Sequence, residues 1–214
     1  MYQPEHFRLE DVASLHEVMR THPLAQLVTA GPGGLMANAV PFILYADEGE
    51  RGVLRAHLAR ANPQWREIEA GAQALVIFQG KDGYVTPSWY AAKREHGKVV
   101  PTWNYVVVQA RGAIRTEHDP AWLKAQVEAL TDRHEAGRRE AWAVADAPDA
   151  FVAAQLRAIV GIEIVLEELS GKFKMSQNRS AADREGVASG LRSEGRDEAL
   201  TLASLVESLG GQRP

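Results

Sequence analysis

The chain contains no cysteine, which excludes disulfides, thiolate metal sites and cysteine nucleophiles in one step. It also lacks an apolar run long enough to cross a membrane, because Gln, Arg or Glu interrupts each candidate. Met1-Tyr2-Gln3-Pro4-Glu5-His6 has no basic-then-apolar secretory pattern, so a cytoplasmic location is expected. Excess basic charge is missing too. A formal charge of −4 gives no general attraction to DNA or to an anionic membrane, and favours a small-molecule or protein partner. There is no Gly-rich phosphate loop, His-Glu-x-x-His pair or Gly-x-Ser-x-Gly elbow, and no helix-turn-helix with a basic recognition helix. The seven histidines are scattered, so no protein-built metal site is expected, and no residue stands out as a catalytic acid or base.

What remains is an ordinary globular composition, 45% hydrophobic and 24% charged over 214 residues. Apolar periodicity predicts helices over 11–21, 64–70 and 197–209. Asp119-Pro120 caps another that carries Leu123, Val127 and Leu130. A further helix is expected over 148–159, and Ser180 with Asp183 opens another as a capping box. Strands are expected over 24–30, 35–45, 52–58, 74–78, 84–86, 102–116 and 162–169. Gly31-Pro32-Gly33-Gly34 joins the first two as a hairpin, and Pro41 locally interrupts the second. Val106, Val107 and Val108 suggest a strand covered on both faces and a place for a subunit contact. Trp65, Trp122 and Trp142 fall at helical positions and are expected in the core. Many short strands with interspersed helices favour a mainly β, α+β barrel with helical additions.

Three stretches could carry chemistry. In Leu54-Arg55-Ala56-His57-Leu58, strand alternation puts Arg55 and His57 on one face. Arg60 and the helix start at Asn62-Pro63 follow, a pattern that suits a phosphate. Thr86-Pro87-Ser88-Trp89-Tyr90 and Pro101-Thr102-Trp103-Asn104-Tyr105 are aromatic-polar clusters opened by prolines, suited to the wall of a flat ligand site. Lys172-Phe173-Lys174-Met175-Ser176-Gln177-Asn178-Arg179 is a basic, multi-donor segment suited to a carbonyl-rich ligand. Glu167-Glu168 and Arg138-Arg139-Glu140 read as solvated charges.

Taken together with Met1-Tyr2-x-Pro4-x-x-Phe7, Phe78-Gln79-Gly80 and His57-Leu58-Ala59-Arg60-Ala61-Asn62-Pro63-x-Trp65, these motifs resemble the PaiB family along residues 1–190. The resemblance implies an FMN-binding split β-barrel with peripheral and C-terminal helices, usually a homodimer with flavin at the subunit interface. On that reading residues 1–190 form the barrel, with a helical insertion at 119–159, and 191–214 form a helical extension. The resemblance also implies a transcriptional regulator, linked in some bacteria to repression of sporulation and degradative-enzyme genes, although the acidic balance argues against direct DNA binding.

The expected FMN site has Arg55, His57, Arg60 and Asn62 at the phosphate. Trp89 and Trp103 flank the ring, and Asn104, Lys174, Gln177 and Arg179 complete the polar wall. Rival readings are a flavin-dependent oxidoreductase, in which the cofactor supplies the redox chemistry, and a haem protein using His6, His22, His57 or His96.

Overall fold

The computed structural model describes residues 1–209. In chain order the first half contains β1 (Arg8–Leu9), α1 (Val12–Thr21), β2 (Leu24–Gly31), β3 (Gly34–Pro41), β4 (Ile43–Tyr45), β5 (Val53–Ala59) and α2 (Gln64–Glu69). Then come β6 (Gln73–Val85), α3 (Ala92–Glu95), β7 (Thr102–Glu117) and α4 (Pro120–Glu135). The chain continues through α5 (Asp149–Arg157), β8 (Ile159–Lys174), α6 (Ala181–Ser193) and α7 (Asp197–Leu209). The eight strands form one sheet in the order β3-β2-β6-β7-β8-β5-β4, with β1 pairing β8. No helix among the described residues is long and apolar enough to cross a membrane.

Two compact units share this chain. One comprises Met1–Leu15, Gln79–Val108 and the residues from 170 on; the other comprises His16–Phe78 and Gln109–Leu169. The expected domain boundary at residue 190 falls inside α6. Residues 210–214 of the expected extension lie outside the described residues.

In the His16–Phe78 and Gln109–Leu169 unit, the β2–β3 hairpin turns where Gly31 pairs with Gly34, whose φ of 99° suits glycine. β5 pairs antiparallel with β8 from Val53↔Val165 to Ala59↔Ile159. Leu27, Leu54, Val76, Phe78, Ile162 and Ile164 are fully buried, each contributing roughly 1.5–3 kcal/mol. Gln64 is buried beneath them, and its amide donates to the Leu27 carbonyl at 3.0 Å and accepts from Asn38 at 2.9 Å. Asp119 caps α4 by accepting the Trp122 N–H, as its position before Pro120 requires.

In the other unit β1 pairs with the end of β8, Arg8 opposite Lys172. Ser180 caps α6 by accepting the Asp183 N–H. The Asp183 carboxylate does not complete the expected box. It accepts the Ala92 N–H at 3.0 Å instead. Val187 and Leu191 of α6 and Leu202 and Val206 of α7 are buried. A Cβ at Gly190 would collide with the Trp89 ring, so this glycine is required for that close approach.

Several expected boundaries change for identifiable reasons. The strand predicted over 35–45 breaks into β3 and β4 just after Pro41, where Phe42 donates to the Pro23 carbonyl. The strands predicted over 74–78 and 84–86 are a single β6. The glycine inside it is a packing device, since a Cβ at Gly80 would lie 2.9 Å from Val106. β8 runs well past the predicted 162–169, through Gly171 to Lys174. β7 alternates instead of burying both faces: Val106 and Val108 are buried and Val107 is half-buried. Trp142 lies outside any helix and is 48% exposed, not in the core.

Candidate functional site

The expected phosphate cradle is built from β5 and the start of α2. Alternation holds: Leu54, Ala56 and Leu58 are buried while Arg55 and His57 take the other face. Arg55, however, is already neutralised. Its Nε donates to Glu163 at 2.7 Å, and its Nη1 and Nη2 donate to Glu48 at 2.9 and 2.6 Å. Arg115 grips the second Glu163 oxygen from Nε and Nη2 at 3.0 and 2.8 Å. Burial would raise the Glu163 carboxyl, but the hydrogen bonds and charges of both arginines outweigh it and hold it below its ordinary value. This is an internal ion network, and Arg55 offers an incoming anion little.

The neighbouring residues are also committed elsewhere. His57 faces an apolar cavity of about 230 Å³ beside Trp142, Phe151 and Leu156. Burial pushes its imidazole below the ordinary histidine value, so it carries no charge at neutral pH, and its buried Nδ1 has no partner. Arg60 donates from Nε and Nη2 to the carbonyls of Arg157 and Ile159, both at 2.8 Å. Asn62 accepts the Gln64 N–H at 3.0 Å and so caps α2, which has only six residues. Arg55 and Asn62 therefore bond within the fold and His57 lines an apolar cavity. Of the two arginines of the expected cradle, Arg60 alone lacks a carboxylate partner among the described residues, and its Nη1 keeps a free hydrogen.

The other unit gathers Trp103, Asn104, Lys174 and Arg179 and adds two residues, Lys172 and Tyr105. Trp103 and Tyr105 share the outward face of β7, Trp103 53% exposed and edge-on to Tyr84. The amines of Lys172 and Lys174 lie 5.5 and 6.0 Å from the Tyr105 ring centroid. Lys174 also donates to Thr102 Oγ1 and to the Trp103 carbonyl. Arg179 lies over Tyr90, 4.7 Å from its centroid. The ion pairs of this unit among the described residues are Arg8–Glu10, Lys81–Glu198, Arg192–Glu207 and Arg196–Glu194. None of them reaches Lys172, Lys174 or Arg179.

Lys172, Lys174 and Arg179 thus have no carboxylate partner among the described residues, a state they share with Lys93, Arg94, Lys98 and Arg184 of this unit, but Lys172 is only 9% exposed. Burial first, then the charges of Lys172 and Arg179, lower the Lys174 amine from its ordinary value. Asn104 is completely buried. Its Oδ1 accepts from Ser176 Oγ at 3.1 Å, and its Nδ2 has no partner. It lies on the face of β7 opposite Trp103 and Tyr105, and a buried donor left unpaired there is costly.

Two expected wall residues play other parts. Trp89 is half-buried against the glycines of α6. Gln177 donates to the Phe173 carbonyl and accepts the Met175 N–H, bracing the turn in which Ser176 takes a φ of 61°. Lys172 and Tyr105 belong to the segments singled out by sequence and share strand faces with Lys174 and Trp103, although neither was among the expected flavin contacts. Glu163 was missed as well. Its signal was one charge inside Ile162-Glu163-Ile164, a pattern that requires a buried counter-ion.

The group expected here is a flavin, and these residues fit one chemically. Flat faces suit its ring, cations suit its phosphate or reduced ring, and the Asn104 amide suits a carbonyl. By contrast, a shallow cleft of about 480 Å³ along Ala72, Gly112 and Glu167 pairs Arg111 with Glu168, and Glu167 leaves it with a surplus negative charge.

Comparison with known proteins identifies the family and the fold. The family described as "Putative FMN-binding domain" matches residues 1–168. Protease synthase and sporulation protein PAI 2 of Bacillus subtilis is 30% identical over 97% of both chains. An Emericella nidulans protein is 36% identical over 93% of each. Among solved structures, the FAD and haem binding protein of Mycobacterium smegmatis aligns with a TM-score of 0.57 at 20% identity. It covers 78% of this chain and 73% of its own. The flavocytochrome Anf3 of Azotobacter vinelandii gives 0.59 at 17%, covering 78% and 69%. At such identities the structures establish the fold alone, an α+β split barrel. The chain belongs to the PaiB family of FMN-binding-domain proteins.

Proposed function

We propose that this chain is a flavin-binding split-barrel protein that holds FMN in the Met1–Leu15, Gln79–Val108 and post-170 unit and serves as a flavin-dependent redox sensor or regulator. The observation that carries this reading is the set of three cations without a carboxylate partner among the described residues, Lys172, Lys174 and Arg179, gathered round Lys174 beside the Tyr105 ring. Trp103 and Tyr105 supply flat surfaces for an isoalloxazine. Lys172, Lys174 and Arg179 supply positive charge for the phosphate or for the anionic reduced ring, and Asn104 donates to a ring carbonyl. Bound flavin would supply the electron-transfer chemistry, and the cations would raise its potential by favouring the reduced anion. Arg55, His57 and Asn62 have structural roles in this reading, as do Trp89 and Gln177.

The exposure of Trp103 and of Tyr84 favours a homodimer in which a second copy covers the ring. The regulatory part draws on the printed name of the Bacillus relative; the formal charge of −4 favours regulation through a protein partner over direct DNA contact. The test is a fluorescence titration of FMN into flavin-free protein and into Lys172→Ala/Lys174→Ala and Arg55→Met variants. A loss of about a hundredfold in the first and less than threefold in the second is expected. Equal losses, or a Soret band in place of flavin absorbance in the protein as isolated, would overturn the reading.

A further inference from the structure

The segment carrying α4 and α5 has no part in the proposed flavin site, yet it has the makings of one of its own. No residue of α5 is buried, although Phe151, Val152 and Leu156 are apolar. Beside α5 lies a cavity of about 500 Å³ lined by Leu123, Ala153, Leu156, Arg60, His118 and Arg157. The smaller cavity at His57 adjoins it, sharing Leu156.

Charge decides what could fill it. The bonds that Arg60 makes to two backbone carbonyls position its guanidinium without neutralising it, and Nη1 keeps a hydrogen to spare beyond a 3.4 Å contact with His118. Arg157, the last residue of α5, is exposed and has no ion-pair or hydrogen-bond partner for its side chain among the described residues. The nearby acids are already engaged: Glu69 receives hydrogen bonds from His118 at 2.8 Å and Thr116 at 2.9 Å, Glu117 accepts the His118 and Asp119 N–H groups and pairs with Arg115, and Asp119 accepts the Trp122 N–H. Among the described residues, Nη1 of Arg60 and the Arg157 head stay free at the mouth of an apolar chamber. A cationic mouth on an apolar chamber suits an acid with a hydrocarbon tail.

We infer that this cavity is a second binding site, specific for a small apolar monocarboxylic acid. The carboxylate sits on Arg60 and Arg157, and the hydrocarbon lies on Leu123, Ala153 and Leu156, with the His57 cavity giving room for a longer tail. Burying the tail supplies affinity, and the arginine fork supplies the preference for an acid over an alcohol of equal length. The inference does not rest on the flavin reading, since the residues belong to the other unit.

Calorimetric titration of sodium octanoate into the full chain at pH 7.5 tests it, with octanol as the uncharged probe. Octanoate should bind at one site, at least tenfold more tightly than octanol. Arg157→Gln, an exposed change with no bonds to lose, should weaken octanoate about tenfold and leave octanol unchanged. Ala153→Phe should abolish both while leaving FMN titration and circular dichroism as in the parent. The proposal fails if octanoate does not saturate the parent chain, if octanol binds equally well, or if Arg157→Gln keeps full octanoate affinity. It fails equally if octanoate does not bind and Ala153→Phe turns a dimer into a monomer, because a second copy then covers the groove.

Discussion

Two clusters of basic residues in this protein have opposite fates. Around Glu163, Arg55 and Arg115 converge on one carboxylate, with Glu48 on Arg55 and Glu117 on Arg115, so both cations are paired within the fold. Around Tyr105, Lys172 and Lys174 crowd together with Arg179 nearby and no acid within ion-pair distance among the described residues. A balanced cluster holds strands in register. An unbalanced one costs folding energy and is retained where something outside the chain supplies the missing charge. The comparison also explains why a basic residue on a strand is a poor guide by itself: its partners decide what it is for.

Breaking the balanced cluster should have the largest effect. Glu163→Gln removes the 8% exposed carboxylate that joins the two arginines and should cost about 2 kcal/mol of stability, read from the urea midpoint; the loss is moderated because Arg55 keeps Glu48, Arg115 keeps Glu117 and Arg115 is half-exposed. The same substitution should flatten the acid limb of the stability curve. With its folded-state value depressed, Glu163 contributes stability that is complete above about pH 4.5 and fades as pH falls through the lower folded value. An unchanged acid limb would mean that the network carries little.

Removing the unbalanced charges should act on binding instead. Lys172→Ala/Lys174→Ala should weaken FMN about a hundredfold while leaving flavin-free stability equal or higher, since like charges are relieved. A fall in stability comparable to that of Glu163→Gln would erase the distinction between the clusters. Filling the α6 notch comes next. Gly190→Ala should cost about 1–2 kcal/mol in thermal unfolding, overpacking against Trp89 outweighing the better helix propensity of alanine.

Smaller still, Asn104→Ala should reduce FMN affinity about tenfold, the scale of one lost donor to a carbonyl. Finally, the depressed Lys174 amine predicts that flavin-free stability rises with pH from its folded value up to the ordinary 10.5, because the unfolded chain binds the extra proton there. FMN affinity should fall over the same window as the amine loses its charge. A Lys174→Met variant should lack both slopes.

Local patterns were read reliably where local physics decides them. The caps at Asp119 and Ser180, the glycine hairpin at 31–34 and the alternation of β5 all depend on neighbours a few residues apart. The errors have one origin. The strands expected to end at 78 and 169 run on through Gly80 and Gly171, whose close partners, Val106 and Leu15, are far away in sequence. Trp89 and Gln177 have the chemistry of ligand contacts, but nearby packing and a strained turn had already claimed them. The ring side of the candidate site was legible in part, through Trp103, Asn104, Lys174 and Arg179. The cations expected at the phosphate, Arg55 and Arg60, make internal bonds that no local pattern announces.

Sequence alone was enough to determine the family, the mixed barrel-and-helix class and which face of each strand turns inward, because these follow from motif and period. Which positive charges are free was decided by tertiary structure. Arg55 and Glu163 stand 108 residues apart in the chain and 2.7 Å apart in the fold. Electrostatic pairing depends on distance in space, and only folding sets that distance.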